Sequence, residues 1–341
     1  MEMKNLRKPV IALTMGDPTG IGPEISLLTA MNAHVFDRAH LFIIGDIYRL
    51  EESLAILQKL GRVQDALKLR SIKTVSAATY EPLVVNVMDL QNVPEGLPWG
   101  ELSPVAGQCA YEYLARAVQL SLDHTIDAIC TAPLNKEAWQ LAGIPYPGHT
   151  EALAALSGSP RSAMMLVNKG LRVVHVTTHV RLKQAIQLAT TTRILDRIRL
   201  TADFLSAYGL KNPRIVVAGL NPHAGEGGLF GDEEEKEIFP AVQQAQGEGL
   251  CVTGPLPPDS VYVRAASGEF DAVIAMYHDQ GHIAIKMLGF DSGVNVTIGL
   301  PILRTSVDHG TAFDIAGKGM AREESMVESV LVAVDLLRGP S

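Results

Sequence analysis

Ala275-Met-Tyr-His-Asp-Gln-Gly-His282 closes an apolar run, Ala272 to Met276, and the fold class follows from how that passage is read. The run is short, apolar on both would-be faces, and ends abruptly in polar groups. This is the pattern of a buried strand and the loop leaving its carboxyl end. Two other apolar runs end in the same way. Val173 to Thr178 stops at His179, and Ile215 to Leu220 runs into Asn221-Pro222-His223. Three strands thus each deliver an imidazole at the same end, and in open α/β sheets that end is where ligands bind. Neutral imidazoles suit Zn, Co, Ni, Mn or Fe, and three protein ligands leave positions open on the ion, as catalysis requires. His179, His223 and His278 are therefore candidate metal ligands. His282 is a fourth candidate, equally suited to supporting a ligand. A lone histidine after a strand is usually structural; repetition at three strand ends argues for a site.

The rest of the chain alternates in the same style. Val10 to Thr14 is a short strand that breaks into Gly16-Asp-Pro-Thr-Gly-Ile-Gly-Pro-Glu24. Pro23 suits a first helical position and Glu24 the positive end of a helix dipole. The passage is neither a dinucleotide fingerprint, lacking the third glycine, nor a P-loop, lacking Gly-Lys-Ser/Thr. Further strands are expected at Leu41–Ile44, Leu83–Val87 and Ile126–Cys130, and helices at Leu50–Leu60, Ala106–Leu122 and from Thr190 to about Tyr208. Residues 50–105 carry no catalytic cluster. Strands apolar on both faces, alternating with helices, predict parallel strands covered on both sides. No linker is evident, so a two-lobed body with strands running between the lobes is expected.

Composition narrows the function. The chain has 341 residues, 47% hydrophobic and 19% charged, which is ample for a globular core. A net charge of −8 excludes a global basic field for nucleic acid or an anionic membrane. Any anionic substrate must be held by local cations or backbone N–H groups. Cys109, Cys130 and Cys251 are scattered and odd in number, which reads as buried reduced thiols. Met1 to Lys8 leads into a strand with no apolar leader region. No stretch approaches the roughly 18–20 apolar residues needed to span a bilayer. A cytoplasmic protein is expected.

Several polar residues stand out from apolar surroundings. Lys286, Asn295 and Arg304 lie within about 20 residues and fit an oxyanion pocket, although lone cations more often reach the surface. Pro147-Gly-His-Thr-Glu151 opens a helix. Thr150 reads as its cap, and His149 beside the first N–H groups suits a phosphate or carboxylate; a plain cap with an incidental histidine is the alternative. Asp259, in the turn Leu256–Ser260, is a candidate acid or base, as is Lys286. His34, His40 and His124 read as surface residues.

Asp308-His-Gly-Thr-Ala-Phe-Asp-Ile-Ala-Gly-Lys-Gly319 resembles the adenosine-binding loop of the metal-dependent β-decarboxylating dehydrogenases. In that group the loop histidine packs on adenine, and an Asp-Ile pair marks NAD. The resemblance therefore implies His309 and Asp314 as cofactor residues and NAD as cofactor, since a carboxylate accepts from a free ribose hydroxyl and repels a 2′-phosphate. The whole chain is similar to a narrower group, the PdxA family, whose type member is 4-hydroxythreonine-4-phosphate dehydrogenase. The matching blocks are Gly16–Glu24, Pro147–Glu151, Asn221–Glu226, Tyr277–Gly281, Arg304–Ser306 and Asp308–Ala312.

The resemblance implies a two-lobed α/β/α fold of the isocitrate/isopropylmalate dehydrogenase-like kind. The lobes are expected at 1–130 plus 305–341 and at 131–304. It puts the metal (Zn, Mg, Co or Mn) on His179, His223 and His278, shared across a homodimer interface, and the substrate on His149, Thr150, Lys286, Asn295 and Arg304. Thr131–Lys136, Leu229–Glu234, Gly281-His282 and Phe313–Ala316 resemble the branch acting on 4-phospho-D-threonate or 4-phospho-D-erythronate. The implied activity is NAD- and metal-dependent oxidation at carbon 3 with decarboxylation to dihydroxyacetone phosphate. The near alternative is the amino-acid substrate of pyridoxal phosphate synthesis. The distant one is a non-redox hydrolase or aldolase, which would have no use for an adenosine loop.

Overall fold

The computed structural model describes residues 7–289 and 293–339. The first six residues of the Met1–Lys8 segment lie outside that range. The chain divides into two compact units, Met1–Pro160 with Leu300–Leu337, and Arg161–Gly299 with Arg338–Ser341.

The first unit holds strands β1 (Val10–Thr14), β2 (His40–Gly45), β3 (Lys68–Ile72), β4 (Val84–Asp89), β5 (Ala128–Thr131) and, from the far end of the chain, β12 (Arg304–Ser306). Their order is β3-β4-β2-β1-β5-β12 and every pair is parallel. Helices α1 (Gly22–Met31), α2 (Ala33–Phe36), α3 (Ile47–Lys59), α4 (Pro104–Leu122), α5 (Lys136–Leu141), α6 (His149–Leu156) and α12 (Glu324–Arg338) belong here. Side chains start several of them. Asp46 accepts from Arg49 N at 3.1 Å to begin α3, and Asn135 accepts from Ala138 N at 3.0 Å to begin α5. α1 packs on α3, while α4 lies on β1, β2 and β5 and carries α5 and α6. That packing moves residues 131–160 into the first unit. The breaks fall at 160/161 and 299/300 rather than at 130/131 and 304/305, because α5 and α6 rest on α4 and Arg304 pairs with Ile129 of β5.

The second unit holds β6 (Ala163–Asn168), β7 (Leu171–His175), β8 (Ile215–Ala218), β9 (Val252–Leu256), β10 (Ala272–Ala275) and β11 (Val294–Ile298), in the order β11-β6-β7-β10-β8-β9. β7, β10, β8 and β9 run parallel. β6 is antiparallel to both β7 and β11, which departs from the all-parallel expectation. The two-residue connection from Asn168 to Leu171 is a hairpin, and a hairpin can only join antiparallel strands. The helices are α7 (Leu182–Leu188), α8 (Thr191–Ala207), α9 (Phe239–Gly247), α10 (Pro258–Ala266) and α11 (His278–Leu288). α8 lies on α9 and on β7, β8, β10 and β11, whereas α10 and α11 both pack on β7 and β10. Leu166, Val173, Val216, Val273, Val261 and Ile285 meet in the core of this unit. Each such side chain contributes roughly 1.5–3 kcal/mol on full burial.

Cys109 and Cys130 are buried and Cys251 is exposed, so the expectation of three buried thiols is corrected at Cys251, which directly precedes β9. Among the described residues no helix is long and apolar enough to cross a membrane.

Candidate active site

Three neighbouring strands of the second unit lead to the three histidines. β7 ends at His175 and the chain continues through Thr177 to His179. β8 ends at Ala218, before a 3-10 turn over Pro222–Gly225 that carries His223. β10 ends at Ala275, and His278 is the first residue of α11. His278 therefore opens a helix and does not sit in a loop. β10 lies between β7 and β8 and is parallel to both, so the three segments leave the sheet side by side. Hydrogen bonds tie them together. Val176 N donates to Ala275 O at 2.8 Å, and Thr177 Oγ1 donates to Met276 O at 2.9 Å. Gln280 Oε1 accepts from Met276 N and its Nε2 donates to Gly219 O, both at 2.7 Å. One amide side chain thus clamps the His278 segment to the His223 segment.

The imidazoles of His179 and His278 lie 5.4 Å apart, centroid to centroid, with planes at 51°. Two imidazoles bound to one tetrahedral ion at the usual ~2.0–2.1 Å would stand about 5 Å apart, so this pair fits a shared ion. His278 Nδ1 lies 2.8 Å from Asp279 Oδ1. When Nδ1 donates there, Nε2 keeps its lone pair for a metal. His179 (φ 32°) and His223 (φ 53°) both hold left-handed backbone, which L residues adopt at about 1–2 kcal/mol each and which clusters at functional sites. Among the described residues no three His, Cys, Asp or Glu side chains converge enough to hold an ion within this one chain. His179 and His278 are brought together; His223 is on its own turn, beside Phe230 at 6.2 Å.

Behind His278, the candidate His282 pairs with His175, which the sequence does not single out. His282, 8% exposed, and His175, 3% exposed, approach at 3.2 Å through Nδ1 and Nε2. Burial, and then the neighbouring His282 and His278, push His175 down to about 3. His282 supports the His278 ring, and Glu234, described below, supports the His223 turn. Glu234 stands in the acidic run Asp232–Glu235, which reads as a solvated helix start, and that hides its burial from a sequence reading.

In the second unit Lys286 is half-buried in the last turn of α11, and Asn295 is on β11 with a buried Oδ1 that has no hydrogen-bond partner among the described residues. Such an acceptor suits a polar ligand. Asp259 is exposed and lies in the first turn of α10, so the expected turn there is a helix start. A carboxylate at that position also complements the helix dipole. Asp259 lines a largely apolar cavity of about 610 Å³ with Tyr262, Tyr277 and Gln280.

The first unit has its own cavity, of about 430 Å³, whose walls include Thr131, Lys136, His149, Arg304, Ser306 and His309. Arg304 is 2% exposed, and its Nε and Nη2 donate to Thr131 Oγ1 at 3.2 and 2.7 Å. Burial pushes the guanidinium down to about 10, which leaves it charged at neutral pH. Burial, then the charges of Arg304 and Lys136, hold half-buried His149 well below the usual imidazole range. Two cations, a neutral imidazole and two hydroxyls suit a phosphate or carboxylate. Thr150 is the second residue of α6, whose N-cap is Gly148, so Thr150 does not cap that helix.

His309, Gly310 and Thr311 line the same cavity, and their loop is well buttressed. Ile21 N donates to Thr311 O, and Gly319 N donates to Glu24 Oε1, each at 3.0 Å. Glu24 is buried, so it anchors this loop and does not face solvent at a helix end. Arg62 Nη1 donates to the carbonyls of Gly319 and Ala321 at 2.8 and 2.6 Å. Trp99 stacks on the Arg49 guanidinium at 4.1 Å, and a Cβ on Gly317 (φ 71°) would stand 2.5 Å from the Trp99 ring. The stretch near Trp99, which offered no motif, therefore backs the loop. Asp314 is exposed on it. An exposed carboxylate, a cavity-side imidazole and glycine backbone fit a nucleotide with free ribose hydroxyls.

Over residues 37–333 the chain matches the family described as pyridoxal phosphate biosynthetic protein PdxA. It is 50% identical to the D-threonate 4-phosphate dehydrogenase of Cupriavidus necator, covering 96% of this chain and 97% of that one. The chain belongs to the PdxA family. It is also 47% identical to the 4-hydroxythreonine-4-phosphate dehydrogenase of Beijerinckia indica, over 93% of this chain and 91% of that protein. The crystal structure of a 4-hydroxythreonine-4-phosphate dehydrogenase from Burkholderia phymatum superposes with a TM-score of 0.88 at 49% identity, covering 97% and 98% of the two chains. The fold is thus the PdxA-family α/β fold, and the chain is an oxidoreductase.

Proposed function

We propose that this PdxA-family protein oxidises and decarboxylates a 4-phosphorylated four-carbon hydroxy acid, 4-phospho-D-threonate or 4-phospho-D-erythronate, with NAD and a divalent metal. The observation that carries the phosphorylated-acid reading is the buried Arg304 beside neutral His149 in a cavity that also holds Lys136. The similarity to the Cupriavidus necator enzyme supports the threonate branch. The Beijerinckia indica relative keeps the amino acid, 4-hydroxythreonine 4-phosphate, as the second reading.

In this reading His149, Thr150 and Arg304 bind the anionic groups of the substrate, with Lys286 and Asn295 as further substrate ligands. His179, His223 and His278 hold the metal, the site being completed across a homodimer interface. His309 and Asp314 hold the adenosine end of NAD. When bound, NAD supplies the hydride acceptor and the divalent ion (Zn, Mg, Co or Mn) supplies positive charge that stabilises negative oxygen. The substrate loses a hydride and the hydroxyl proton at carbon 3, then CO2 from carbon 1. Carbon 2 takes up a proton, and dihydroxyacetone phosphate remains. Lys286 Nζ takes the hydroxyl proton and returns it to carbon 2, with Asp259 as the second acid/base group. The protein works as a cytoplasmic homodimer.

Product analysis tests this. Turnover of 4-phospho-D-threonate should release one CO2 and one dihydroxyacetone phosphate per NADH. NADH without CO2 would contradict the decarboxylation step.

A further inference from the structure

The turn that carries His223 has an unusual backbone. His223, Ala224, Gly225 and Glu226 hold φ of 53°, 55°, 81° and 44° in succession. Three of the four are not glycine, and left-handed backbone is unfavourable for L residues. The run persists because groups outside it fix the segment that leads into it. Gln280 Nε2 fixes the entry by its bond to Gly219 O. The larger restraint is Glu234, 4% exposed, the first residue of a π-helical turn over Glu234–Ile238. Its Oε1 accepts from Leu220 N and Asn221 N, both at 2.7 Å, and its Oε2 accepts from Asn221 Nδ2 at 2.9 Å. Asn221 Nδ2 also donates to Glu233 Oε2 at 2.7 Å. The chain wraps closely around the carboxylate. A Cβ on Gly219 would lie 3.2 Å from Glu234 Oε1, and a Cβ on Gly225 2.9 Å from Oε2. Carboxylate–N–H bonds are charge-assisted, about twice as strong as neutral ones, and π-helical turns recur at functional sites.

We infer that Glu234 is the positioning residue for His223, holding its imidazole where a divalent cation is bound. This rests on the reading of His223 as a metal ligand. Glu234 acts through the backbone N–H groups of Leu220 and Asn221 and the Asn221 side chain, the segment that leads into the His223 turn. The neighbouring Glu237 offers an internal contrast. Its carboxylate accepts from Thr191 N at 2.6 Å and Thr191 Oγ1 at 2.8 Å, anchoring the start of α8 and leaving the His223 turn untouched.

The test titrates Co²⁺ into metal-stripped, full-length protein and reads the dissociation constant by calorimetry and by the visible absorption of the bound ion. Wild type, His223→Ala, Glu234→Gln, Glu237→Gln and the double variant Glu234→Gln with Ala224→Gly are compared. Residues that support metal ligands typically matter by 10–100-fold in affinity, so Glu234→Gln should bind Co²⁺ about 10–100-fold more weakly, with an altered spectrum. Glu237→Gln should bind like wild type. Ala224→Gly should restore part of the loss, because glycine takes left-handed φ without strain. Wild-type affinity in Glu234→Gln, with His223→Ala weakened, overturns the role of Glu234 alone. Equal weakening in Glu237→Gln also overturns it, since that is a general effect of the helix. Wild-type affinity in His223→Ala overturns the metal reading itself. Should Glu234→Gln fail to fold, Asn221→Ala, which removes one donor to the carboxylate, reads the same quantity. Weaker Co²⁺ binding there supports the inference and unchanged binding overturns it.

Discussion

The rings of His278 and His282 stack 3.6 Å apart with their planes 11° from parallel. They are four residues apart on α11, so the helix itself sets the pairing. His282 Nδ1 also lies 3.1 Å from His278 O and 3.2 Å from His175 Nε2. Imidazole contacts therefore run from buried His175 through His282 and His278 to His179.

That packing needs a glycine. A Cβ on Gly281 would stand 2.3 Å from His175 Nε2 and 2.7 Å from Val173 Cγ1. In an open helix Gly→Ala stabilises by about 1 kcal/mol. Here Gly281→Ala should destabilise by about 1–3 kcal/mol, as overpacked cores do. Urea unfolding reads the change, and equal or greater stability would contradict the packing account.

The same cluster sets an acid sensitivity. His175 is held near 3 in the folded protein against 6.5 when unperturbed, so it folds as the neutral form. Below about pH 6.5 the unfolded chain takes up a proton that the native chain refuses. Stability then falls with pH by about 1.4 kcal/mol per unit from this group until pH approaches the folded value. His175→Leu removes that share. Its unfolding free energy should decline less steeply than wild type between about pH 6 and pH 4.5, by roughly 1.4 kcal/mol per unit. Parallel curves for the two proteins would show that His175 does not carry this effect.

Arg304 grips Thr131 through two nitrogens from a buried position. Lysine cannot reproduce that fork. Arg304→Lys should raise KM for the phosphorylated substrate about 10–100-fold, equivalent to about 1.4–2.7 kcal/mol. Steady-state kinetics at saturating NAD read this, and an unchanged KM would remove Arg304 from substrate binding.

Asp314 is exposed, so its replacement leaves the packing of the 308–319 loop intact. Asp314→Lys should raise KM for NAD at least tenfold with little change in thermal midpoint. An unchanged KM for NAD would contradict the cofactor role of the loop.

Much of this was legible in the chain. Apolar runs ending at His179, His223 and His278 are β7, β8 and β10 with their following segments, because buried parallel strands have no polar face to obscure them. What escaped reading has physical causes. β3 (Lys68–Ile72) is mostly exposed and carries no apolar run. The Leu256–Ser260 passage reads as a turn because Pro257 and Pro258 look like breakers, yet proline in a first turn starts α10. Thr150 reads as a cap, but Gly148 precedes α6 with extended backbone and takes that place. Gln280, Glu234 and Trp99 act by a few contacts with residues distant in sequence, and such contacts leave no periodic trace.

The most direct measurement is NADH formation by purified, divalent-metal-loaded protein offered 4-phospho-D-threonate, 4-phospho-D-erythronate and 4-hydroxy-L-threonine 4-phosphate side by side, each with and without a chelator. The account predicts chelator-sensitive NADH from a phosphorylated threonate or erythronate and little from the amino acid. NADH from the amino acid alone would move the protein to the second reading, and no NADH from any of the three would contradict the account.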